Sequence, residues 1–289
     1  GIAARRYIAE GQENSDMCVS AAREALENAG MNADELDLIV VATISGDYQM
    51  SATACLVQKE LGAVNSGAFD VQAACSGFVT ALGVGEAFIS SGRATNILVI
   101  GSEALSRFID FEDRGSAILF GDGAGAAVLK RAEKGEGEIL ATDIGTDGRQ
   151  THLLNIPGGG SACPTTTENA GQRLATLAML GKEVFKHAVT RMRDSANLVI
   201  ERAGLKPEDI KLVIPHQANL RIIDAIADRL AVPNDRVFVN LHKYGNTSAA
   251  AIAIALDEAH REKKFERGDH IILVAFGAGL TWAAAAVKW

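Results

Sequence analysis

The sequence has few cysteines and lacks any long apolar run. Its four cysteines (Cys18, Cys55, Cys75 and Cys163) are widely spaced and form no C-x-x-C pair, which argues against a zinc site or a disulfide framework. No apolar run approaches the ~20 residues that a membrane-spanning helix needs. The sequence therefore predicts a protein of the reducing cytoplasm that binds neither a metal nor a membrane.

Positive charge and aromatic side chains are also scarce. Against 36 Asp and Glu residues stand 28 Lys and Arg residues, and the net charge of −8 argues against nucleic acid as a general partner. Hydrophobic residues make up 48% of the chain but aromatic residues only 5%, so the core must consist of small and branched aliphatic side chains. Such side chains allow sheets and helices to approach each other closely.

Two segments of the chain repeat one pattern. Residues 25–31 and 199–205 each end an amphipathic helix at a glycine, and an acidic turn and a buried strand follow. The two glycines, Gly30 and Gly204, are 174 positions apart (204 − 30), and the same offset, within one residue, relates 97–101 to 272–277. The repeat predicts two pseudo-symmetric α/β halves, 1–137 and 138–289.

The first copy is shorter than the second. Only 24 residues precede Ala25, whereas about 60 residues precede the matched helix end in the second copy. The pattern predicts that roughly 35 residues of the first copy, including its first strand, lie upstream of Gly1, although insertions in the second copy would give the same difference. One such insertion is the Gly- and Thr-rich segment 157–167, which is typical of an exposed loop.

A glycine-rich segment at residues 121–126 matches the letters of a dinucleotide-binding fingerprint. The apolar run 126–129 that follows it has no helical periodicity, whereas a nucleotide site of this kind requires the glycines to open a helix. We therefore predict a turn between strands here, and no nucleotide site.

Cys75 is the first candidate catalytic residue. It follows a short apolar strand and precedes a helical stretch that runs from Ser76 to about Ser91. Amide groups and the dipole at the start of a helix favour a thiolate and can bind an oxyanion. The alternative, a buried structural cysteine, suits Cys18 on an amphipathic helix and Cys55 on an apolar face.

Two further candidates lie in the second copy. His216 follows the buried strand 212–215, and the carboxyl end of a strand is where α/β proteins place ligands. Its counterpart in the first copy lies near Ala42, so only one half carries an imidazole. Asn246 lies at a helix start that corresponds to Cys75, since 75 + 174 = 249. It is either a helix N-cap or a neutral amide donor that faces the thiol.

These three groups together suit one kind of chemistry. A thiolate can accept an acyl group, and an imidazole and a carboxamide that both donate hydrogen bonds can polarise the carbonyl of a second thioester. If that thioester is malonyl, the loss of CO₂ leaves a carbanion that attacks the acyl-cysteine. A hydrolase would instead need a base that activates water, with the histidine paired to a carboxylate, and the sequence places no acidic residue clearly for that role.

At these residues the chain resembles the β-ketoacyl-acyl carrier protein synthase III family of the thiolase-like superfamily. The resemblance runs from Gly1 to Trp289 and rests on Ala-Ala-Cys-Ser-Gly (73–77), Pro-His-Gln-Ala-Asn-Leu-Arg (215–221) and Gly-Asn-Thr-Ser-Ala-Ala (245–250). It implies a thiolase-like α/β fold of two halves in five layers, αβαβα. It also implies a homodimer that needs no cofactor and condenses an acyl-CoA primer with malonyl-acyl carrier protein to initiate type II fatty-acid synthesis.

The resemblance further implies roles for individual residues. Cys75 would be the acylated nucleophile, His216 and Asn246 would drive decarboxylation and condensation, and the amides of Cys75 and Ala278 would form the oxyanion hole. The implied substrate contacts are Arg114 for coenzyme A, and Phe120, Phe185, Ala218, Asn219, Ile222 and Phe276 for the pocket. The implied carrier-protein docking residues are Lys186 and Arg221, with Lys182 and Arg191 beside them.

The chain departs from the family pattern at two places. A Trp and an Arg that hold the coenzyme A adenine in the family would lie upstream of Gly1. At Gln49-Met50-Ser51 the family often has an aromatic residue followed by proline, in a loop that closes the acyl pocket of the dimer partner. Because Met50 is flexible, we predict that primers longer than acetyl are accepted.

Other functions remain as alternatives at this point. A related condensing or acyl-transfer enzyme of polyketide or other specialised metabolism would use the same three residues. A non-catalytic partner subunit typically lacks the cysteine, which this chain retains, and a cysteine hydrolase would release free acid from the acyl-enzyme.

Overall fold

The computed structural model describes residues 1–133 and 136–289. The strands within these residues are, in chain order, β1 Leu38–Ala42, β2 Gly67–Val71, β3 Asn96–Glu103, β4 Gly123–Lys130, β5 Glu138–Thr146, β6 Leu154–Asn155, β7 Ala178–Met179, β8 Ile210–Pro215, β9 His270–Gly277 and β10 Thr281–Lys288. The α-helices are α1 Asn14–Ala29, α2 Thr53–Leu61, α3 Gly77–Ser90, α4 Arg114–Ala117, α5 Gly181–Arg202, α6 Leu220–Leu230, α7 Leu241–Tyr244 and α8 Ala250–Arg261.

Two four-stranded sheets share the arrangement of three of their strands, and the fourth strand lies at opposite edges. The first has the order β2-β1-β3-β4 and the second the order β5-β10-β9-β8. β1 and β3 are parallel and β4 is antiparallel to β3, and β8, β9 and β10 repeat this arrangement. β3 and β9 begin and end 174 positions apart (270 − 96 and 277 − 103), so the predicted duplication is confirmed. The division at residue 137 falls between β4 and β5 and stays a prediction.

The sheets and helices alternate in five layers. α1 and α2 pack on the outer face of the first sheet, and α5 and α6 on the outer face of the second. α3 and α8 lie between the two sheets and are covered on both sides. This burial explains why α3 is apolar along most of its length, whereas the outer helices carry one apolar stripe.

Small residues make the central layer possible. A Cβ atom on Gly125 of β4 would lie 2.7 Å from the Cβ of Ala253 in α8, which is too close for any side chain. In β10 the residues Ala283, Ala284, Ala285 and Ala286 are fully buried. The Ala- and Gly-rich composition therefore reflects sheets and helices that pack at short distance.

The local predictions for turns and loops are largely confirmed. Gly30 and Gly204 both adopt the left-handed conformation after a helix, with φ values of 61° and 68°. Gly123 and Gly125 lie in β4 itself and Gly121 just before it, so these glycines open no helix and the predicted turn between strands is instead the start of a strand. Most of the 157–167 segment is exposed. None of the helices in the described ranges is both long enough and apolar enough to cross a bilayer.

The two sheets differ at their edges. β5, the first strand of the second copy, pairs with β10, whereas within residues 1–133 and 136–289 no strand pairs with the corresponding edge of β4. At the opposite edge, β2 pairs only with β1 in the described chain.

Candidate active site

Cys75 lies in a tight turn at the centre of the molecule. Residues Ala74–Ser76 form a 3₁₀ turn that continues directly into α3, so the sequence placed the cysteine correctly at a helix start. Its side chain is buried, with 8% of the residue exposed. Gly277 lies against this turn, because a Cβ atom on Gly277 would be only 2.6 Å from the amide nitrogen of Cys75. The end of β9 therefore forms one wall of the thiol site.

The charge state of the thiol differs from the expectation. Burial raises the pKa of the Cys75 thiol to about 12, the nearby Ser248 hydroxyl acts to lower this pKa, and the negative charge of Glu103 acts to raise it. The expectation that the helix start would hold a thiolate is therefore wrong for the free protein, because the cost of burying the charge outweighs the stabilisation. The thiol must lose its proton when it reacts.

His216 lies at the carboxyl end of β8, as predicted. Its amide donates a hydrogen bond to the carbonyl of Val274 in β9 at 2.8 Å, which fixes the residue at the sheet edge where β9 reaches the cysteine turn. The imidazole is buried, and its Nδ1 atom has no hydrogen-bond partner among the described residues. Burial lowers the pKa of His216 to about 4, so the imidazole is neutral near pH 7 and offers a single N–H donor.

Asn246 is held by backbone contacts on both sides. Its amide donates to the carbonyl of Leu119 at 2.8 Å, and its carbonyl accepts from the amide of Gly121 at 3.0 Å. The side-chain oxygen Oδ1 accepts from the amide of Ser248 at 2.9 Å. Because the oxygen is engaged in this turn, the NH₂ group is the part of the carboxamide that is left for a ligand. The residue that caps a helix is instead Asn219, whose Oδ1 accepts from the amide of Ile222 at the start of α6.

The two turns that carry the thiol and the carboxamide have the same backbone shape. Ala74 and Ser248 are 174 positions apart (248 − 74), and both are non-glycine residues with positive φ, at 46° and 48°. The turns also face each other, because a Cβ atom on Gly77 would lie 3.4 Å from the Cβ of Ala249. The duplication thus brings the thiol and the carboxamide together near the pseudo-twofold axis.

Of the six predicted pocket residues, all but Asn219 lie in or against one apolar cluster. Phe120, Ile222 and Phe276 are buried in it, and partly buried side chains pack against it, namely Phe185, Ala218 and Ala278. Phe120 and Asn246 form an isolated parallel β-bridge, so this cluster lies next to the residue that carries the carboxamide. No backbone carbonyl of the described residues accepts from the amide of Cys75 or of Ala278, so both remain available as donors.

The predicted surface residues are all on the outside of the molecule. Arg114 is exposed at the start of α4, and Lys182, Lys186 and Arg221 are exposed on α5 and α6, which pack against each other. Lys186 forms an ion pair with Glu183 at 3.0 Å. Arg191 is less exposed, and it stacks on the ring of Trp282 with 4.7 Å between the guanidinium carbon and the ring centre.

Two remaining predictions concern exposure. Met50 is 91% exposed in the single chain. Cys18 is fully buried, as expected, but the interpretation of Cys55 as a buried core cysteine is wrong, because Cys55 is exposed on α2 beside the open edge strand β2. The apolar neighbours of Cys55 in the sequence point inward, whereas Cys55 itself lies on the outer side of the helix.

Comparison with known proteins identifies the family. The family model described as 3-oxoacyl-[acyl-carrier-protein (ACP)] synthase III matches residues 69–148, and that of the C-terminal part of the same enzyme matches residues 200–289. A β-ketoacyl-[acyl-carrier-protein] synthase III of Caldanaerobacter subterraneus is 50% identical, over 100% of this chain and 87% of the relative. The chain belongs to the β-ketoacyl-acyl carrier protein synthase III family. The corresponding enzyme of Clostridioides difficile is 46% identical, over 100% and 88% of the two chains.

The fold comparison agrees with this assignment. The crystal structure of the synthase III from Aquifex aeolicus matches with a TM-score of 0.90 at 47% identity, and the match covers 98% of this chain and 87% of that one. The chain is thus an acyl-transferring condensing enzyme with the thiolase-like fold that the motifs predicted. As a synthase III it starts fatty-acid synthesis by condensing acyl-CoA with malonyl-acyl carrier protein, and the alternative in polyketide metabolism is not favoured.

One residue of the site was missed by the sequence reasoning. Glu103 ends β3, is fully buried, and accepts a hydrogen bond from the Ser248 hydroxyl at 3.1 Å. Glu103 therefore brings a carboxyl group close to the thiol. The sequence analysis had assigned no acidic residue to this site. The signal that could have found it is a charged residue that follows the apolar run 97–101 of β3. Its counterpart in the second copy is Gly277, so it is a second asymmetry between the halves (103 + 174 = 277).

Proposed function

We propose that Cys75 carries the acyl group and that His216 and Asn246 drive the decarboxylative condensation. The observation that supports this most directly is the paired arrangement of the two turns, which puts a buried thiol opposite a carboxamide whose NH₂ group is free. A neutral imidazole at the adjacent strand end supplies a second N–H donor. Two neutral N–H donors suit an enolate oxygen, because they can stabilise the negative charge that develops on it.

The proposed reaction has two stages. Cys75 first attacks the carbonyl carbon of an acyl-CoA, and the C–S bond to coenzyme A breaks. Malonyl-acyl carrier protein then binds with its thioester oxygen on His216 and Asn246, and CO₂ leaves as the electron pair of the C–C bond moves into the enolate. The resulting carbanion attacks the acyl-cysteine, and the amides of Cys75 and Ala278 hold the oxyanion until the Cys75 thiolate departs. The two thioesters provide every bond that is broken in these steps, so the proposed mechanism includes no cofactor.

Intact-protein mass spectrometry after incubation with acyl-CoA tests the first stage. Wild-type protein should gain one acyl mass, and Cys75→Ala should gain none. His216→Ala and Asn246→Ala should still be acylated but should condense with malonyl-acyl carrier protein at least ~100-fold more slowly, as expected when one oxyanion donor is removed. An acyl adduct on Cys75→Ala would refute the assignment of the nucleophile.

We also propose that the carrier protein docks on α5 and α6 through Lys186 and Arg221. The chain has a net charge of −8, so an acidic carrier requires a local positive patch, and both residues are exposed on neighbouring helices. Reversing one charge should mainly weaken binding. Arg221→Glu should raise the KM for malonyl-acyl carrier protein without changing the rate of acylation by acyl-CoA. Arg229→Glu, at the far end of the same helix, is the matched control.

We propose that the enzyme is cytoplasmic and forms a homodimer. The edge of β2 has an unpaired backbone in the described chain, and exposed strand edges are templates for pairing with a second chain. Tyr48, Met50 and Val64 have exposed apolar side chains, and a partner chain could cover this apolar surface. Light scattering at micromolar concentration should give twice the chain mass of 30.4 kDa. A mass of 30.4 kDa at that concentration would contradict the dimer.

Two substrate contacts complete the proposal. Arg114 is proposed to bind coenzyme A, and Arg114→Ala should raise the KM for acyl-CoA without changing that for the carrier protein. Met50 is proposed to cap the partner's acyl pocket and to adapt to primers longer than acetyl. Activity with acetyl-CoA alone, across a series of acyl-CoA chain lengths, would exclude that role of Met50.

A further inference from the structure

The carboxyl group of Glu103 joins the two halves of the chain. The first half supplies three donors to its Oε2 atom, the hydroxyls of Thr43 and Ser45 and the amide of Ile44, and the amide lies 3.2 Å away. The second half supplies the Ser248 hydroxyl, which donates to Oε1 at 3.1 Å. Each oxygen of the carboxyl group therefore accepts from one half of the chain.

Ser248 continues this connection to the proposed catalytic carboxamide. Its amide donates to Oδ1 of Asn246 at 2.9 Å, and this contact leaves the NH₂ group of Asn246 as the donor for a ligand. Ser248 is a non-glycine residue with a positive φ of 48°, a conformation that costs free energy unless the surroundings hold it. The hydrogen bond from its hydroxyl to Glu103 is such a hold.

The strand that carries Glu103 packs directly against the Asn246 turn. A Cβ atom on Gly101 of β3 would overlap the carbonyl oxygen of Ala249. Glu103 follows two residues later on the same strand, so it reaches Ser248 from a backbone that already contacts the turn. The connection from β3 to the carboxamide is therefore short.

The corresponding contact in the other half of the site is apolar. At the offset of 174 positions, Gly277 corresponds to Glu103 and Ala74 to Ser248 (103 + 174 and 74 + 174). A Cβ atom on Gly277 would lie 3.2 Å from the Cβ of Ala74. Each strand end therefore supports the turn of the other half. The turn with the thiol is supported by close packing, whereas the turn with the carboxamide is supported by a hydrogen bond between a carboxyl group and a hydroxyl.

Stability alone does not explain a carboxyl group at this position. Glu103 is fully buried, and burial raises its pKa to about 7, although the hydrogen bonds from Ser45, Ile44 and Ser248 act against this increase. The donors thus do not offset the whole cost of burying the charge. A contact like that of Gly277 with Ala74 carries no such cost, so the polar pair points to a role in the site.

We propose that Glu103 positions the Asn246 carboxamide for decarboxylation by holding Ser248 in its left-handed conformation. Glu103 reaches Asn246 through Ser248, so it is a positioning residue and not a catalytic one. This role rests on the proposed function of Asn246 and adds the contact that fixes the direction of its N–H donor.

The two stages of the reaction separate this role from a general loss of structure. Asn246 acts in the second stage, so loss of the bond between Glu103 and Ser248 should slow the release of CO₂ from malonyl-acyl carrier protein. Acylation of Cys75 by acyl-CoA should stay within about twofold of wild type, whereas damage to the whole core would slow both stages. Release of radiolabelled CO₂ by pre-acylated enzyme and intact-protein mass spectrometry measure the two rates.

Ser248→Ala is the first variant, because it removes the hydroxyl and keeps the carboxyl group. Its kcat for CO₂ release should fall about 10-fold, as for the loss of one hydrogen bond, while the KM for malonyl-acyl carrier protein stays within about twofold. Glu103→Ala should give a similar loss. The double variant should be no slower than either single variant, because both substitutions break one contact. Losses that multiply in the double variant would overturn the proposal.

Glu103→Gln is the conservative variant. Three donors converge on Oε2 of Glu103, so the Gln carbonyl should take that position and its NH₂ group should face Ser248. There the NH₂ group donates to the hydroxyl oxygen, and the contact is kept with its direction reversed. CO₂ release should therefore stay within about threefold of wild type. A loss equal to that of Glu103→Ala would mean that the charge matters and the contact does not, which would overturn the proposal.

Ser102→Ala is the matched control. It also removes a buried hydroxyl, but that hydroxyl donates to Asn14 and not to Glu103. Both rates of this variant should match wild type. A loss of CO₂ release in Ser102→Ala equal to that in Ser248→Ala, or equal losses of both rates in Ser248→Ala, would show a structural role only and overturn the proposal.

Failure of the positioning role and failure of the proposed function give different results. CO₂ release at the wild-type rate in Asn246→Ala would overturn the role of Asn246 itself. Slow release in Asn246→Ala together with normal release in Ser248→Ala would overturn only the positioning by Glu103. If Glu103→Ala does not fold, Ser248→Ala and Glu103→Gln still decide the question.

Discussion

Gly277 should tolerate no side chain, because it packs directly against the backbone of the nucleophile. A Cβ atom at this position would lie 2.6 Å from the amide nitrogen and 3.2 Å from the Cα atom of Cys75. An ordinary contact begins at 3.4 Å, so Gly277→Ala requires a displacement of about 0.8 Å (3.4 − 2.6). The nearest atoms belong to backbone rather than to a flexible side chain, so the turn and the end of β9 must move apart.

Two effects of this displacement can be estimated. Overpacking of a well-packed core typically costs about 1–3 kcal/mol, which would lower the Tm by roughly 2–5 °C in a chain of this size. Moving the thiol and its oxyanion-binding amide by nearly 1 Å should slow acylation by about 100-fold. The activity should therefore fall much more than the folded fraction at 25 °C.

The assay compares thermal unfolding and the rate of Cys75 acylation in Gly277→Ala and in a matched control. Gly160→Ala is that control, because nothing lies within 4 Å of a Cβ atom at Gly160 and its φ is not positive. The control should match wild type in both measurements. Acylation by Gly277→Ala within twofold of wild type, with an unchanged Tm, would refute the close packing deduced from the structure.

Three other predictions concern stability and its dependence on pH. Glu103 has a pKa raised from 4.5 to about 7 in the folded protein, so the folded state binds the extra proton and the free energy of unfolding falls as the pH rises from 4.5 through 7. Glu103→Gln should lack this fall, which amounts to about 3 kcal/mol, in denaturant titrations at pH 5 and pH 9. His216 has a pKa lowered to about 4, so wild-type stability is lost as the pH drops from 6.5 through 4, and His216→Gln should be less acid-sensitive over that range. Met192→Ala removes a fully buried side chain of α5 and should cost about 2–5 kcal/mol by urea unfolding, while the acylation rate at 25 °C stays within twofold of wild type.

The architecture of the chain was predictable because its signals are local. Gly30 after α1 and Gly204 after α5 indicate where the two helices end, and the apolar run that follows each glycine indicates a buried strand. The offset of 174 positions then converted these local signals into a duplicated fold. The same offset related Asn246 to the cysteine turn, and the structure places these two turns face to face.

Features that depend on tertiary packing were not predictable in this way. The position of Glu103 in the site depends on which strand end meets the 246–249 turn, and no spacing along the chain encodes this meeting. The raised pKa of Cys75 depends on complete burial, which the helix start alone does not reveal. The exposed side of α2 was missed for a similar reason, since an apolar neighbourhood does not say which face Cys55 occupies.

In the paired left-handed turns at Ala74 and Ser248, the backbone sets the geometry of the site and the side chains set its chemistry. Both turns keep one backbone shape although one presents a thiol and the other a carboxamide. The positions of the thiol and the carboxamide are therefore set by the backbone, whereas the reactivity is carried by a few exchangeable side chains. Replacing Cys75 or Asn246 changes the chemistry and leaves the two turns in place. A β-branched residue at Ala74 or Ser248, which strongly disfavours positive φ, would deform the turns themselves.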